Sequence, residues 1–248
     1  KIEGKNTAGY RLTIMRAHWV SGRPVVDPNA NSTAAFHIVN ASVTIQDIDV
    51  RPTVQTLSYG IYASSWAVVI GSVNVDGGNA SWMTYGGVFV SSEAVVSHSS
   101  ITAKAGAVLR LDGEKARVEW STATAASAAG IDAVRIGGGD AVVVGGRFFA
   151  GTGHALDVEG DRAAVSLSTL TATGQTVLLN GPDGVRIEDS YLLSTGESGL
   201  ALASAADDFL LLRSTVVGQA TIYPAVTVQN SDRARIVESS VYASAPAG

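Results

Sequence analysis

Residues 153–172 read GHALDVEGDRAAVSLSTLTA, and this stretch holds the pattern that decides the fold. Leu156 and Val158 are apolar residues separated by one position, and Leu170 and Ala172 repeat that spacing. Side chains alternate between the two faces of a strand, so each pair points to one common face. A glycine-containing turn at 159–161 lies between the pairs. The stretch therefore predicts short strands, each with one apolar face, joined by tight turns.

The same pattern recurs about every 24 residues for most of the chain, which is typical of a solenoid. An anchor residue, usually Ser or Thr, opens the last strand of each repeat. The residue after the anchor is apolar, and the third residue after it is small or aliphatic. Two such columns with a two-residue offset predict one inward-facing strand face. The anchors are Asp47, Ser72, Ser100, Thr122, Arg147, Thr169, Ser190, Thr215 and Ser240.

Each repeat also contains two earlier apolar segments, exemplified in the first repeat by Phe36–Ile38 and Val43–Ile45. Three short strands and three corners form one coil of a parallel β-helix. We therefore predict an all-β fold: a right-handed parallel β-helix with three sheets, about 24 residues per coil and roughly nine to ten coils. A left-handed hexapeptide solenoid and a leucine-rich repeat are the competing folds. The sequence shows neither a six-residue beat nor the required Leu and Asn frame.

A repeat that runs nearly end to end predicts a single domain over 1–248. Gly22, Pro24 and Pro28 interrupt the period, which predicts a loop insertion at 21–33 near the N-terminal end. The last repeat runs to Ala243 and is followed by no segment that would cover the final coil. Open strand edges promote aggregation, so we expect a piece of a longer protein whose further coils, or a second subunit, cover the ends.

Composition excludes several function classes. The net charge is −5 and basic residues form no run, so there is no electrostatic footprint for nucleic acid. No apolar stretch approaches the roughly 20 residues of a membrane helix, which argues against direct membrane insertion. The absence of cysteine excludes disulfides and thiolate metal sites. Long extracellular bacterial β-solenoids also commonly lack cysteine, so we expect an exported protein, extracellular or on the cell surface of a bacterial envelope.

From about residue 34 to 246 the chain resembles the right-handed parallel β-helices of the pectin-lyase-like superfamily. It is most similar to the passenger domains of bacterial autotransporters of the pertactin kind. The coils of those domains show a glycine, an apolar pair, a glycine turn, a second apolar pair and a Ser-Thr-Val-x-Ala end, and residues 153–172 follow that order. The resemblance implies the fold, and it suggests a role as an adhesin, passenger or structural envelope protein.

The catalytic motifs that this fold hosts are each incomplete in the sequence. A calcium-dependent lyase would need an aspartate before His98, where Ser97 stands. A polygalacturonase-like site would need a second glycine after His154, and an epimerase-like Asp-Pro-His-Glu is matched only at Asp27 and Pro28. The four histidines share no column, so no metal-ligand spacing emerges. We therefore predict no catalytic residue, no metal site and no cofactor.

A local excess of aromatic residues is the best candidate for a binding site. Aromatic faces bind the apolar face of a pyranose ring, and polar residues in the same coils could hydrogen-bond its hydroxyl groups. We therefore predict a carbohydrate-binding site there. Its aromatic members are Tyr59, Tyr62, Trp66, Trp82 and Tyr85, and its polar members are Asp49, Asn74 and Asp76.

A second surface feature follows from the position two residues after each anchor, which should point outward. It is polar in the early repeats and apolar in the late ones, which predicts an exposed apolar stripe in the C-terminal half. A neighbouring coil, domain or subunit would cover such a stripe. The column is Asp49, Asn74, Thr102, Thr124, Phe149, Thr171, Leu192, Val217 and Tyr242.

Together these patterns favour a secreted or cell-surface, non-catalytic β-helix rod that acts as an adhesin or passenger or has a structural role in the envelope. Its expected partner is a glycan or another host or cell-surface ligand. The alternative is a polysaccharide-active enzyme, a lyase, hydrolase or epimerase, or a carbohydrate-binding module on the same fold. The arrangement of charge separates the two: an enzyme should gather acidic and basic side chains in one groove on a sheet face, and a scaffold should scatter them.

Overall fold

The computed structural model describes residues 1–3, 11–19, 21–28, 31–53, 56–77, 83–91, 93–126, 130–202, 206–220 and 222–244. These residues form thirty short strands in three parallel sheets of ten strands each. Sheet A comprises β1 (Ile2–Glu3), β4 (Ser32–Val39), β7 (Leu57–Ser64), β10 (Met83–Val90), β13 (Leu109–Leu111), β16 (Val134–Ile136), β19 (Leu156–Val158), β22 (Val177–Leu179), β25 (Leu200–Leu202) and β28 (Val226–Val228).

The other two sheets alternate with sheet A along the chain. Sheet B comprises β2 (Leu12–Met15), β5 (Val43–Gln46), β8 (Val68–Gly71), β11 (Ala94–Ser97), β14 (Arg117–Glu119), β17 (Val142–Val144), β20 (Ala164–Ser166), β23 (Arg186–Glu188), β26 (Leu210–Leu212) and β29 (Arg235–Val237). Sheet C comprises β3 (Val25–Val26), β6 (Asp49–Val50), β9 (Asn74–Asp76), β12 (Ser100–Ala103), β15 (Thr122–Ala125), β18 (Arg147–Ala150), β21 (Thr169–Ala172), β24 (Tyr191–Ser194), β27 (Thr215–Gly218) and β30 (Ser240–Ala243).

Each strand inside a sheet pairs in parallel with the strand three places before it and the strand three places after it, and the first and last strand of each sheet have one such neighbour. One turn of the chain therefore contributes one strand to each sheet, and the next turn stacks on it. This confirms the predicted all-β, three-sheet parallel β-helix. Segment 21–33, predicted as a loop, contains β3, which pairs with β6, and its residue Ser32 begins β4.

The core is a stack of apolar side chains from all three sheets. Ile61, Val88 and Leu109 follow one another in register on sheet A and are fully buried. Burial of an aliphatic side chain contributes about 1.5–3 kcal/mol, so stability accumulates coil by coil. The alternating inward positions that the sequence identified on this sheet therefore form its interior face.

The strand register differs from the predicted anchor column in three coils. Tyr191, not Ser190, lies opposite Thr169, so Tyr191 is 40% exposed and Leu192 faces the core. Asp49 and Asn74 take the positions predicted for Asp47 and Ser72.

The physical reason is that Asp47, Ser72 and Ser190 belong to the corner before the strand. Asp47 and Ser72 have positive φ angles of 55° and 51°, and the Ser190 hydroxyl bonds within that corner. The predicted outward position is therefore wrong at Leu192, which faces the core. Asp49 lies between the inward residues Ile48 and Val50 but is buried, and it forms an ion pair with Arg51. Phe149 and Tyr242 are exposed as predicted.

The corner between sheets B and C has the same backbone conformation in successive coils. One residue there has a φ angle between 45° and 65°, a left-handed conformation that costs energy for most side chains. A network of hydrogen bonds opposes this cost. The residues in this conformation are Asp47, Ser72, His98, Trp120, Gly145, Leu167, Asp189, Arg213 and Glu238.

A serine usually follows the left-handed residue and bonds two coils together. The Ser168 hydroxyl donates to the Ser166 carbonyl at 2.8 Å and accepts from the Gly146 amide at 3.1 Å. The amide of Ser168 in turn donates to the Ser190 hydroxyl at 3.1 Å. The members of this serine ladder are Ser99, Ser121, Ser168, Ser190, Ser214 and Ser239.

We predict that Ser168→Ala lowers the free energy of unfolding by about 1–3 kcal/mol, because the buried Gly146 amide loses its acceptor. Urea denaturation followed by circular dichroism measures this change. Ser100→Ala is the matched control, since Ser100 is exposed and its hydroxyl makes no hydrogen bond in the described residues. Equal midpoints for Ser168→Ala and the unmodified protein would contradict a stabilising role for the ladder.

Candidate functional site

One column of outward-facing side chains on sheet A carries a graded set of chemical groups. It lies between the inward apolar positions, so the parallel register stacks these side chains coil upon coil. Aromatic groups come first, then two guanidinium groups, then a carboxylate, then two apolar residues and a threonine. In order, the column is His37, Tyr62, Phe89, Arg110, Arg135, Asp157, Leu178, Ala201 and Thr227.

The aromatic end of the column is a connected cluster. Tyr62 stacks on Phe89 with ring centroids 4.7 Å apart, and Tyr59 packs against both rings. Tyr85 joins through Tyr59 at 6.1 Å and is 62% exposed. The Arg110 guanidinium lies 5.6 Å from the Phe89 ring centre, within the range of a cation–π contact. The cluster therefore leads directly into the charged part of the column.

An open groove of about 280 Å³ runs beside this column. Tyr59 and Tyr85 line one end, and Asp132 lines the other, with Arg110 and Arg135 between them. The groove therefore has tyrosine rings at one end and the charged groups of Arg110, Arg135 and Asp132 along its length.

Backbone forms part of the groove wall at Gly106. Its φ angle is +62°, and a Cβ atom there would lie 2.0 Å from the Tyr85 carbonyl oxygen. Only glycine fits that approach.

Three ionisable side chains come together beside the Asp132 end of the groove. Asp132 precedes β16, and His154 and Asp157 belong to the next coil. One potential ligand atom from each of the three lies within 4.8 Å of the others. The Asp132 Oδ1 accepts hydrogen bonds from the His154 backbone amide at 3.0 Å and pairs with its Nδ1 at 2.8 Å. Asp132 therefore fixes the position of the imidazole.

Asp157 is the most constrained member of this cluster. Its side chain is 9% exposed, and its Oδ1 has no hydrogen-bond partner in the described part of the chain. The closest cation is Arg135, whose Nε lies 3.8 Å from the Asp157 Oδ2, beyond hydrogen-bonding distance. Burial, followed by repulsion from Asp132, raises the pKa of Asp157 to about 6.

The neighbouring charged groups are paired. Burial alone would lower the pKa of His154, but the hydrogen bond and charge of Asp132 raise it overall. Arg135 bonds Glu159 at 2.6 Å, and Arg110 bonds Asp112 at 2.6 Å. The two guanidinium groups that line the groove are thus paired with carboxylates, and Asp157 beside them is the poorly compensated group.

The structure divides the residues predicted to bind carbohydrate. Tyr59, Tyr62 and Tyr85 come together on sheet A, as described above. Trp66 lies in the corner between β7 and β8 and is 55% exposed, outside the aromatic contacts of the described residues. Trp82 lies outside the described residues.

The three polar residues lie on sheet C rather than beside the tyrosines, because their segments form strands of that sheet. Asp49 is buried and forms ion pairs with Arg51 at 2.8 Å and Arg23 at 3.7 Å. The structure does not bring Asp49, Asn74 and Asp76 onto the sheet A face that carries the tyrosines, and ligand binding by these residues stays a prediction.

Arg110, Arg135 and Asp157 were not among the predicted site residues, although a sequence signal for them exists. Each is the middle residue between two inward apolar residues, such as Leu156 and Val158, and must point outward. The residues at this middle position in three successive repeats therefore predict a row of charged side chains on one outward face. The contact between Asp132 and His154 is harder to predict from the sequence, because the two residues are 22 positions apart, which is the length of one coil.

The chain was compared with known protein families and with curated proteins. No protein-family model matches the chain, and a search of curated proteins found no match. Within the described residues, no helix has the length and apolar character needed to cross a membrane.

We predict that Asp157→Asn raises the free energy of unfolding at pH 7.5 by up to about 3 kcal/mol. A chelator is present in the buffer so that no metal ion binds to the potential ligand atoms. The pKa of about 6 in the folded protein lies above the usual aspartate pKa of 3.8, so this carboxyl costs stability when it is ionised in the fold. Between pH 4 and 6 that cost appears progressively as the pH rises. Urea denaturation at pH 7.5 and at pH 4 measures it.

The gain from Asp157→Asn should vanish at pH 4, where the native carboxyl is protonated. Asp140→Asn is the matched control, because Asp140 is exposed and pairs with Arg162 at 2.7 Å. An Asp157→Asn variant that is less stable than the native chain at both pH values would show that the carboxylate is compensated in the fold.

Proposed function

We propose that this protein is an exported β-helix rod whose sheet A face binds carbohydrate. The observation that carries the proposal is the cluster of Tyr59, Tyr62, Tyr85 and Phe89, which opens into a groove lined by guanidinium groups. Stacking on the exposed ring of Tyr85 provides affinity for the apolar face of a sugar. Arginine and carboxylate groups provide directional hydrogen bonds to its hydroxyl groups.

The charge of the groove favours a neutral saccharide over a polyanion. Each guanidinium already bonds a carboxylate, Arg110 with Asp112 and Arg135 with Glu159. A polyanionic chain would have to displace these partners and would meet Asp132 at the end of the groove. Neutral hydroxyl groups can accept and donate without breaking either pair. The expected ligand is therefore a neutral oligosaccharide.

The shape of the surface supports an extended ligand. The outward column continues coil after coil, with a spacing of about 4.8 Å between strands. Several sugar rings could therefore contact successive coils along the rod. The lack of cysteine and the resemblance to autotransporter passenger domains support export, a cell-surface location and a role in adhesion.

We predict that Tyr85→Ala weakens binding of a neutral oligosaccharide by about tenfold, which corresponds to the loss of about 1.4 kcal/mol of stacking. Isothermal titration calorimetry with cello-, xylo- and manno-oligosaccharides, and with oligogalacturonate as the anionic comparison, measures this. Trp66→Ala is the matched control, since Trp66 is similarly exposed but lies at another corner. Absence of binding to every oligosaccharide, or an equal loss in Trp66→Ala, would contradict the proposal.

A second candidate function, a polysaccharide-active enzyme, is favoured by one specific observation. Asp132 and Arg135 line one end of the groove, and His154 and Asp157 of the next coil lie beside them. Convergence of acidic and basic groups in one groove is the arrangement that separates an enzyme from a scaffold on this fold. Paired carboxyl groups are also the usual means of cleaving a glycosidic bond.

We predict for this second candidate that incubation with a polysaccharide releases new reducing ends or ultraviolet-absorbing unsaturated products. Asp157→Asn should lower the rate by at least about 100-fold, as expected for loss of an acid–base group. Asp140→Asn should leave the rate unchanged. Oligosaccharide binding without any product formation would leave the carbohydrate-binding function as the role of this face.

A further inference from the structure

We infer that Asp132, His154 and Asp157 form a binding site for a divalent first-row transition metal ion, with Zn²⁺ as the best fit. The three side chains come from two adjacent coils, and their potential ligand atoms lie within 4.8 Å of one another. The inference does not rest on carbohydrate binding, because it concerns the ion and the protein alone.

The site is held by rigid backbone. Asp157 lies within β19, and His154 lies two residues before that strand. The backbone amide of His154 donates to the Asp132 Oδ1 at 3.0 Å, which ties the two coils together at the site. The ligands are therefore positioned by paired strands and by a hydrogen bond between coils, as a metal site requires.

Asp157 supplies the independent sign of a ligand. More than nine-tenths of its side chain is buried, and its Oδ1 accepts no hydrogen bond from the described residues. A buried carboxylate oxygen without a donor is costly, and a metal ion would remove that cost by taking the vacant lone pair. The cluster thus has an unused ligand atom as well as the right residue types.

The local charge also calls for a cation. Asp132, Asp157 and Glu159 lie together, and Arg135 is the permanently charged cation paired with them, since His154 adds a charge only when it is protonated. Arg135 donates through Nη2 to Glu159 at 2.6 Å, and its Nε, which has no hydrogen-bond partner among the described residues, remains 3.8 Å from the Asp157 Oδ2. The two carboxylates of Asp132 and Asp157 are therefore undercompensated, and a divalent ion would balance them.

The ligand set favours Zn²⁺ over Ca²⁺. Imidazole nitrogen with two carboxylate oxygens suits a first-row transition ion, and three protein ligands leave a position for water. Calcium prefers six to eight oxygen ligands, which this cluster does not supply.

Binding of the ion would require the three ligand atoms, which now lie within 4.8 Å of one another, to adjust their spacing. Ligand atoms around tetrahedral Zn²⁺ are separated by about 3.3 Å, given bonds of about 2.0–2.1 Å. The Asp132 Oδ1 and His154 Nδ1 are 2.8 Å apart, so they would move apart slightly as the ion replaced the shared proton.

The test is titration of the chelator-treated 248-residue chain with ZnCl₂ at pH 7.5 against a chromophoric zinc indicator. We expect one ion per chain with a Kd below roughly 10 μM. Asp157→Asn and His154→Gln should each weaken binding at least about tenfold. Co²⁺ substitution should give a visible d–d spectrum that is altered in His154→Gln.

Two matched controls address binding elsewhere on the surface. Asp140→Asn removes an exposed carboxylate, and His98→Asn removes an exposed imidazole at a left-handed position that Asn tolerates. Both variants should bind Zn²⁺ as the unmodified chain does. If either control loses binding, or if Asp157→Asn and His154→Gln retain it, the assigned site is wrong.

Arg135→Gln keeps the test decisive even if the ligand variants fail to fold. Removing the neighbouring positive charge should tighten Zn²⁺ binding by about tenfold, because like charges a few ångströms apart repel. Unchanged or weaker binding in Arg135→Gln would contradict the site. Failure of the unmodified chain to bind Zn²⁺ below about 100 μM, or displacement of Zn²⁺ by equimolar Ca²⁺, would overturn the inference.

Discussion

The corner between sheets B and C imposes the constraint on which the rest of the structure depends. A residue in the left-handed conformation turns the chain there, and the following serine hydroxyl links its own coil to the preceding one. Where Ser168 bonds Ser166 and Gly146, a slip of one residue would leave a buried amide and a hydroxyl without partners. The same slip would turn every inward side chain of the next strand outward. The hydrogen bonds and the apolar core therefore select the same register.

Constant register converts a repetitive sequence into straight columns of side chains. Arg110, Arg135 and Asp157 are separated by about one coil each in sequence, yet they are neighbours on sheet A. The core fixes only the inward positions, so the outward column is free to change from aromatic to basic to acidic. The chemistry of the sheet A face is therefore determined by outward side chains whose identity the fold does not restrict.

The apolar alternation was sufficient to predict the three sheets, because inward positions must be apolar in nearly every coil. Register was harder where serine suits both the corner and the anchor position. Tyr191, Leu192 and Leu193 are all apolar, so alternation there could not distinguish an inward Tyr191 from an inward Leu192. In the structure the Ser190 amide donates a hydrogen bond to the Ser214 hydroxyl of the next coil, which is compatible only with an inward Leu192. This contact between coils cannot be read from the local sequence.

The candidate site shows the same division between local and long-range information. The tyrosines could be found because Tyr59 and Tyr62 are close in sequence and share a strand. The ionisable cluster could not be found by motif spacing, because Asp132 meets His154 through the stacking of coils. The predicted partners Asp49 and Asp76 failed for the converse reason: they are near the tyrosines in sequence, but a corner carries them onto another sheet.

The position of Asp157 is the strongest argument that the sheet A face is more than structural. Its counterparts in the next two coils are Leu178 and Ala201, so an apolar side chain satisfies the fold at this column. An aspartate there is buried, its Oδ1 has no hydrogen-bond donor among the described residues, and it lies beside a second carboxylate. A residue that costs stability and that the architecture does not need supports the proposed ion site. The parallel register holds this carboxylate in a fixed position next to Asp132 and His154.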